Sequence, residues 1–262
     1  MMTLFKHEMR QGSKSLVVWT AVISFVIAVC VFMYPEMKGE MDGVSDMFAS
    51  MGAFTEAFGM DKVNFGTLIG FYTIECGNVF GIGGAFFAAL LASGILSKEE
   101  KDGTAEFLIT HPVRRSRIVS EKLLALVTQI ALLNAVVFCV SVVSVAVIDE
   151  QLPWKEFCLI HLAYFLLQLE LGAICFGISA FLKKGSLGIG IGVTAIMYFF
   201  NVVANISDSS EFLKYLTPYG YADGADIAAN GRLDAVLVVI GVAVACASVA
   251  LAYSKYTKKD IS

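Results

Sequence analysis

Apolar residues along the chain run in six long stretches, and polar residues gather in the short segments between them. A helix needs about 20 mostly apolar residues to cross the hydrocarbon core of a bilayer. Six segments meet that length: about 15–34, 70–96, 118–148, 157–182, 187–206 and 235–254. The second and third exceed it, so they tilt or extend past the interface. The fifth is the weakest, because Asn201 and Asn205 fall near its end. The pattern predicts an all-α integral membrane fold of six transmembrane helices, forming one domain over residues 1–262. The first apolar run follows a basic start and has no small-residue cleavage site after it. It reads as a retained span rather than a cleaved signal peptide.

Charge placement orients these spans. Only 16% of the 262 residues are charged and 57% are hydrophobic, where soluble domains carry roughly 25% charged residues. Of 19 lysines and arginines, 14 fall on one set of alternate connections: Lys6, Arg10, Lys14, Lys98, Lys101, Arg114, Arg115, Arg117, Lys122, Lys183, Lys184, Lys255, Lys258 and Lys259. The other set holds 5: Lys38, Lys62, Lys155, Lys214 and Arg232. The positive-inside rule then predicts both termini in the cytoplasm. The net charge of −4 averages two unlike faces. No basic tail or aromatic–basic patch points to nucleic acid.

Other chemistry is excluded or reduced to packing. The six cysteines lie in or beside apolar segments with no C-x-x-C pair, so neither a disulfide framework nor a metal knuckle is expected. Glycines recur in the spans at Gly66/Gly70, Gly77/Gly81, Gly83, Gly84 and Gly188-x-Gly190-x-Gly192. No Lys-Ser/Thr follows any of them, so there is no Walker A loop. Close helix approach explains them better. Met33 at the end of the first span is followed in the loop 35–69 by Met37, Met41, Met47, Met51 and Met60, interleaved with Phe48, Phe54 and Phe58. Thioethers suit Cu(I), but an amphipathic helix on the outer membrane surface is the plainer expectation. No catalytic residue, bound cofactor or metal is expected in this chain.

The connection between the second and third spans, residues 97–122, is the most informative stretch. Ser97 and Glu100 have capping-box spacing. Gly103 permits a sharp turn, and Thr104 is placed to cap a helix of about two turns. Pro112 ends that helix, and Ser116 is placed to cap the third span. Phe107, Leu108 and Ile109 give the short helix an apolar edge that a partner could cover. Glu99, Glu100, Gly103, Thr104, Glu106, Leu108, Pro112, Val113, Arg115 and Lys122 together resemble the corresponding loop of ABC-2-type transporter permeases. Glu56-Ala-Phe-Gly59, Asn64 to Phe71 and Leu216 to Tyr221 look familial too, so the resemblance covers most of the chain.

The resemblance implies a mechanism. Two permease chains, identical or homologous, pair in the membrane, and two cytoplasmic ATPase subunits dock on their inner loops. ATP and Mg belong to those partner chains. The helix after Gly103 acts as the coupling helix, with Glu99, Glu100, Gly103, Thr104, Glu106, Phe107, Leu108, Pro112 and Arg115 as the coupling residues. Arg114, Arg115 and Arg117 anchor the third span at anionic headgroups. The location implied is a bacterial cytoplasmic membrane, and the cargo implied is an antimicrobial peptide, drug or lipid-like molecule moved outward.

Among the polar residues within the spans, Asn78, Gln129 and Asn134 are ordinary candidates for hydrogen bonds between helices. Glu75, near the outer end of the second span, and Gln168 and Glu170, near the middle of the fourth, stand out. They line a substrate path or make polar contacts between helices, and the second expectation is the stronger. Two rivals are weaker. An intramembrane protease would need membrane-embedded histidines beside Glu99 and Glu100, but His7, His111 and His161 are dispersed. An ATPase-independent secondary transporter or channel would show inverted repeats and several mid-membrane ionisable residues, and neither is clear.

Overall fold

In the computed structural model, residues 2–39, 52–104, 114–183 and 186–259 are described, with Ala53, Phe54 and Asp208 as backbone only. Six helices among them are long and apolar enough to cross a membrane. They are α1 (Thr3–Lys38), α3 (Leu68–Ala92), α5 (Arg115–Val147), α6 (Trp154–Ser179), α7 (Leu187–Ile206) and α9 (Ala235–Lys258). The described residues also include three short α-helices, α2 (Ala53–Ala57), α4 (Lys98–Lys101) and α8 (Gly224–Asn230). Six crossings place the two chain ends on one end of the bundle, here the near end, and the loops after α1, α5 and α7 at the far end.

The bundle is arranged around α6. Helices α3 and α9 pack along it, α1 packs along α5, and α7 lies against α3. Among the spans α6 and α3 are the most buried, and α9, α1 and α7 the least. Their side chains divide accordingly. On α1, Ile23, Ile27, Val31 and Tyr34 are buried, while Val18, Val22, Phe25, Val29 and Phe32 are exposed. Val236, Val239, Val242 and Leu251 do the same on α9. A water-soluble monomer rarely leaves so much contiguous apolar surface uncovered; here hydrocarbon covers it.

Small residues set the distances between the inner helices. A Cβ on Gly84 of α3 would stand 2.2 Å from the Gln168 amide of α6, and one on Gly190 of α7 would meet the Ala89 carbonyl at 2.9 Å. The expected role of the glycines in close packing therefore holds at these positions. Gly192 faces open space instead.

Several elements differ from the sequence expectation. The first span is part of one continuous 36-residue helix, about 54 Å long at ~1.5 Å per residue. Its polar first turns join the span without a break: Gly12 is accommodated within the helix against the Gln129 side chain of α5, and the one proline, Pro35, falls in the last turn. Met33 and Met37 belong to this helix rather than to a separate surface helix. Met41, Met47 and Met51 lie outside the described residues. Within α3, Tyr72–Gly77 forms a π-helical turn, a device concentrated at functional sites.

The connection from α7 to α9 is not a loop lying over the far end. It runs back along α7 as 3-10 turns at Asp208–Leu216, with Phe212, Tyr215 and Leu216 exposed, and then enters the bundle at Pro218–Gly220, followed by α8. The Thr217 hydroxyl donates to the Met197 carbonyl at 2.8 Å, about 14 Å below the α7 terminus at ~1.5 Å per residue. Tyr221 donates to Glu170 of α6 at 2.9 Å. Irregular backbone survives at such depth only when buried in protein or lining a cavity with its polar groups satisfied. Here the 3-10 bonds, the Thr217 cap on Tyr219 and the Asp223 cap on Ala225 and Asp226 supply that.

Candidate functional site

The connection after α3 begins on a charged elbow at the near end. α4 is one turn of Lys98, Glu99, Glu100 and Lys101, and its side chains reach three neighbouring helices. Lys122 of α5 is wholly buried. It donates to the Ile95 carbonyl, pairs with Glu99 at 2.5 Å and lies 3.4 Å from Glu8 of α1. Glu8 in turn pairs with Lys98 at 2.5 Å. Glu100 pairs with Lys259, just beyond α9, at 2.6 Å, and Lys259 also donates to the Leu182 carbonyl at 2.7 Å. Three carboxylates therefore meet three ammonium groups, and the buried charge balances. That balance is what makes burial tolerable, since a lone charge there would be strongly destabilising.

Two further contacts close the near end. Glu121 of α5 accepts the Leu4 and Phe5 backbone N–H groups at 3.0 and 3.2 Å and pairs with Arg117 at 2.8 Å. A carboxylate from one helix thus caps the first turn of another, where N–H groups lack intrahelical acceptors. Arg115 donates to the Lys259 and Thr257 carbonyls at the end of α9. It ties α5 to α9 directly.

Gly103 has φ +68°, a left-handed turn that suits glycine, as its position in the sequence indicates. The Thr104 N–H bonds the Glu99 carbonyl at 2.9 Å, closing the elbow. The capping box does not form. Ser97 is buried, its hydroxyl donates to the Gly94 carbonyl at 3.5 Å, and Glu100 turns to Lys259 instead. Ser116 is not the cap of α5, because the helix begins at Arg115 with Arg114 before it and no side-chain cap. Glu106, Phe107, Leu108 and Pro112, and with them the short helix, lie outside the described residues.

The intramembrane polar residues resolve into helix contacts and one exposed group. Gln168 is fully buried and accepts from the Asn134 amide of α5 at 2.7 Å. Glu170 accepts from Tyr221 and faces the Cα of Gly241 on α9, where an added Cβ would lie 2.3 Å from it. Glu75 lies in the π turn of α3 and is exposed on the bundle surface. His161 bonds the Tyr72 hydroxyl at 2.9 Å and is ringed by Phe80, Phe138 and Phe157. It sits on α6 close to the far-end terminus at Trp154, remote in the fold from Glu99 and Glu100 at the near end. Among the described residues no cluster of His, Cys, Asp and Glu could hold a metal ion.

Sequence reasoning missed Glu8 and Lys259 as partners of the elbow, and Glu121 as the cap of α1. One signal was present: Lys122 stands inside an apolar stretch, and a buried lysine demands a carboxylate. Which carboxylates answer it depends on the packing of α1 and α9.

The sequence matches the family described as "ABC-2 family transporter protein" over residues 2–261. No curated protein matches the chain. Six apolar helices and a family match across nearly the whole sequence agree, and the chain belongs to the ABC-2 transporter family, as the multi-pass membrane component of an ABC transporter.

Proposed function

We infer that this chain is the permease of an exporter whose near end, with both termini, faces the cytoplasm. Two copies, or this chain and a homologous one, pair in a bacterial cytoplasmic membrane and receive two ATPase subunits. ATP and Mg are handled by those subunits. Residues 1–262 act as one domain, and the segment after Thr104 is the coupling helix, with Glu106, Phe107 and Leu108 facing the ATPase and Pro112 ending it. The cargo is an amphipathic peptide, drug or lipid-like molecule moved outward.

The observation that carries this reading is the elbow. Glu99 is bound to α5, Glu100 to the end of α9, and Lys98 to α1. A push on a segment held this way is delivered to three helices at once, since ion-paired, packed elements move as bodies rather than bending locally. A freely solvated turn would absorb the same push.

The test is co-purification with the partner ATPase and transport in reconstituted vesicles. Gly103→Pro, or deletion of 104–110, is expected to leave membrane insertion intact and abolish both. A variant that keeps the ATPase bound and transports normally would overturn the coupling assignment. Transport by the chain without any ATPase would overturn the exporter reading itself.

A further inference from the structure

The re-entrant connection, α3, α6 and α7 line a small, partly open cavity of about 40 Å³ toward the far end. Its wall includes Thr73 from the π turn, Tyr164 from α6, Tyr198, Asn201 and Asn205 from α7, and Tyr219 from the re-entrant segment. The Thr73 hydroxyl, the Asn201 and Asn205 amide oxygens and the Tyr219 hydroxyl are buried without a hydrogen-bond partner among the described residues. Thr73, Asn201 and Tyr219 are 2%, 9% and 5% exposed. An unpaired buried polar group costs about 1–3 kcal/mol, so four oxygens around one space call for a shared ligand. Glycine keeps that space polar and open. A Cβ on Gly77 or Gly224 would come within 2.6 or 2.7 Å of the Tyr164 hydroxyl.

Size and charge narrow the ligand. The volume accommodates roughly three waters at ~10–15 Å³ each, so only a small species fits. At its rim Lys62 meets Asp223 at 3.3 Å and Asp226 at 3.0 Å. One ammonium against two carboxylates leaves a net negative charge, and no cationic side chain is among the residues lining the cavity. Burial pushes the Asp223 carboxyl above its usual range, with Lys62 opposing, so a second positive charge nearby favours its ionised form. The Tyr198 and Tyr219 rings meet edge to face at 5.4 Å, and aromatic faces attract cations.

We propose that this cavity binds a small monovalent cation, an alkali ion or an ammonium group, using Thr73, Asn201, Asn205 and Tyr219 as oxygen ligands and Asp223 as counter-charge. The bound cation bridges α3, α7 and the re-entrant segment, fixing the latter in the bundle. The proposal is independent of the ATPase and of transport direction, so it is tested on the purified full chain in lipid nanodiscs. Thermal unfolding is followed in chloride salts of sodium, potassium, methylammonium and N-methylglucamine at equal ionic strength. A saturable rise in midpoint is expected for at least one small cation and none for N-methylglucamine. A response to sodium or potassium alone identifies an inorganic ion, and one to methylammonium alone an amine group. Thr73→Val and Asn201→Leu, which preserve volume and remove oxygen, are expected to weaken the response at least tenfold in concentration. Identical midpoints in all four salts, the behaviour of a cavity that holds only water, would overturn the proposal even if neither variant folds. A response undiminished in both variants would overturn it as well.

Discussion

Lys122 shows how one side chain organises the near end. Its ammonium is fully buried against two carboxylates and a carbonyl. Removing one member of a buried ion pair costs about 3–5 kcal/mol because the survivor is left uncompensated. Lys122→Met is therefore expected to lower the thermal midpoint of the purified chain sharply. Lys122→Met with Glu99→Gln removes one charge of each sign and is expected to recover part of the loss, with a coupling of roughly 0.5–3 kcal/mol in a double-mutant cycle. Strict additivity would refute the pairing. Gly84 makes a steric counterpart. Gly84→Ala drives a methyl group into the Gln168 amide and disturbs its bond with Asn134. Overpacking of this kind costs roughly 1–3 kcal/mol. Adding Gln168→Ala should restore much of the midpoint, whereas a further fall would argue against this contact.

Among the elements, α1 and the re-entrant segment depend most on distant residues. The first turn of α1 is capped by Glu121, more than a hundred positions away. Losing a helix cap costs about 0.5–2 kcal/mol. Glu121→Ala is expected to speed amide exchange at Leu4 and Phe5 while leaving the middle of α1 protected; unchanged exchange at those two amides would rule the cap out. In the re-entrant segment, Tyr221→Phe leaves the buried Glu170 carboxyl without that donor. The expected cost is ~1–3 kcal/mol, read as a lower midpoint and faster proteolysis between residues 208 and 230. Equal stability and cleavage would indicate that the segment is held by other contacts.

For the whole molecule the outstanding question is sidedness. Lysine and arginine excess at the near end predicts that it faces the cytoplasm. In a variant lacking the six native cysteines, Asp102→Cys and Asn230→Cys mark the near and far ends. An impermeant maleimide is expected to label position 230 in intact cells and position 102 only after permeabilisation. The reverse pattern would overturn the orientation and, with it, the docking of an ATPase on the elbow.

Much of this was legible in the sequence, and for a physical reason. Hydrocarbon accepts only helices with satisfied backbones, so six apolar runs determined six helices without knowledge of their neighbours. Gly103 and the acidic pair before it likewise signalled a local turn, because φ preference is a property of the residue itself. The partners of that turn were not legible. Glu8, Lys122 and Lys259 are spread over nearly the full length of the chain, and only packing of α1, α5 and α9 brings them beneath the elbow. The re-entrant segment was hidden for the same reason. Its buried part, from Thr217 onward, is too short an apolar stretch to announce burial, and its depth is decided by Met197, Glu170 and Gly241 on three other helices. The sequence by itself determined membrane residence, the number of spans and the charge asymmetry, all of which follow from local interaction with lipid and water. Tertiary structure alone decided which charges neutralise one another and where a polar cavity opens, because those depend on distances between helices remote in sequence.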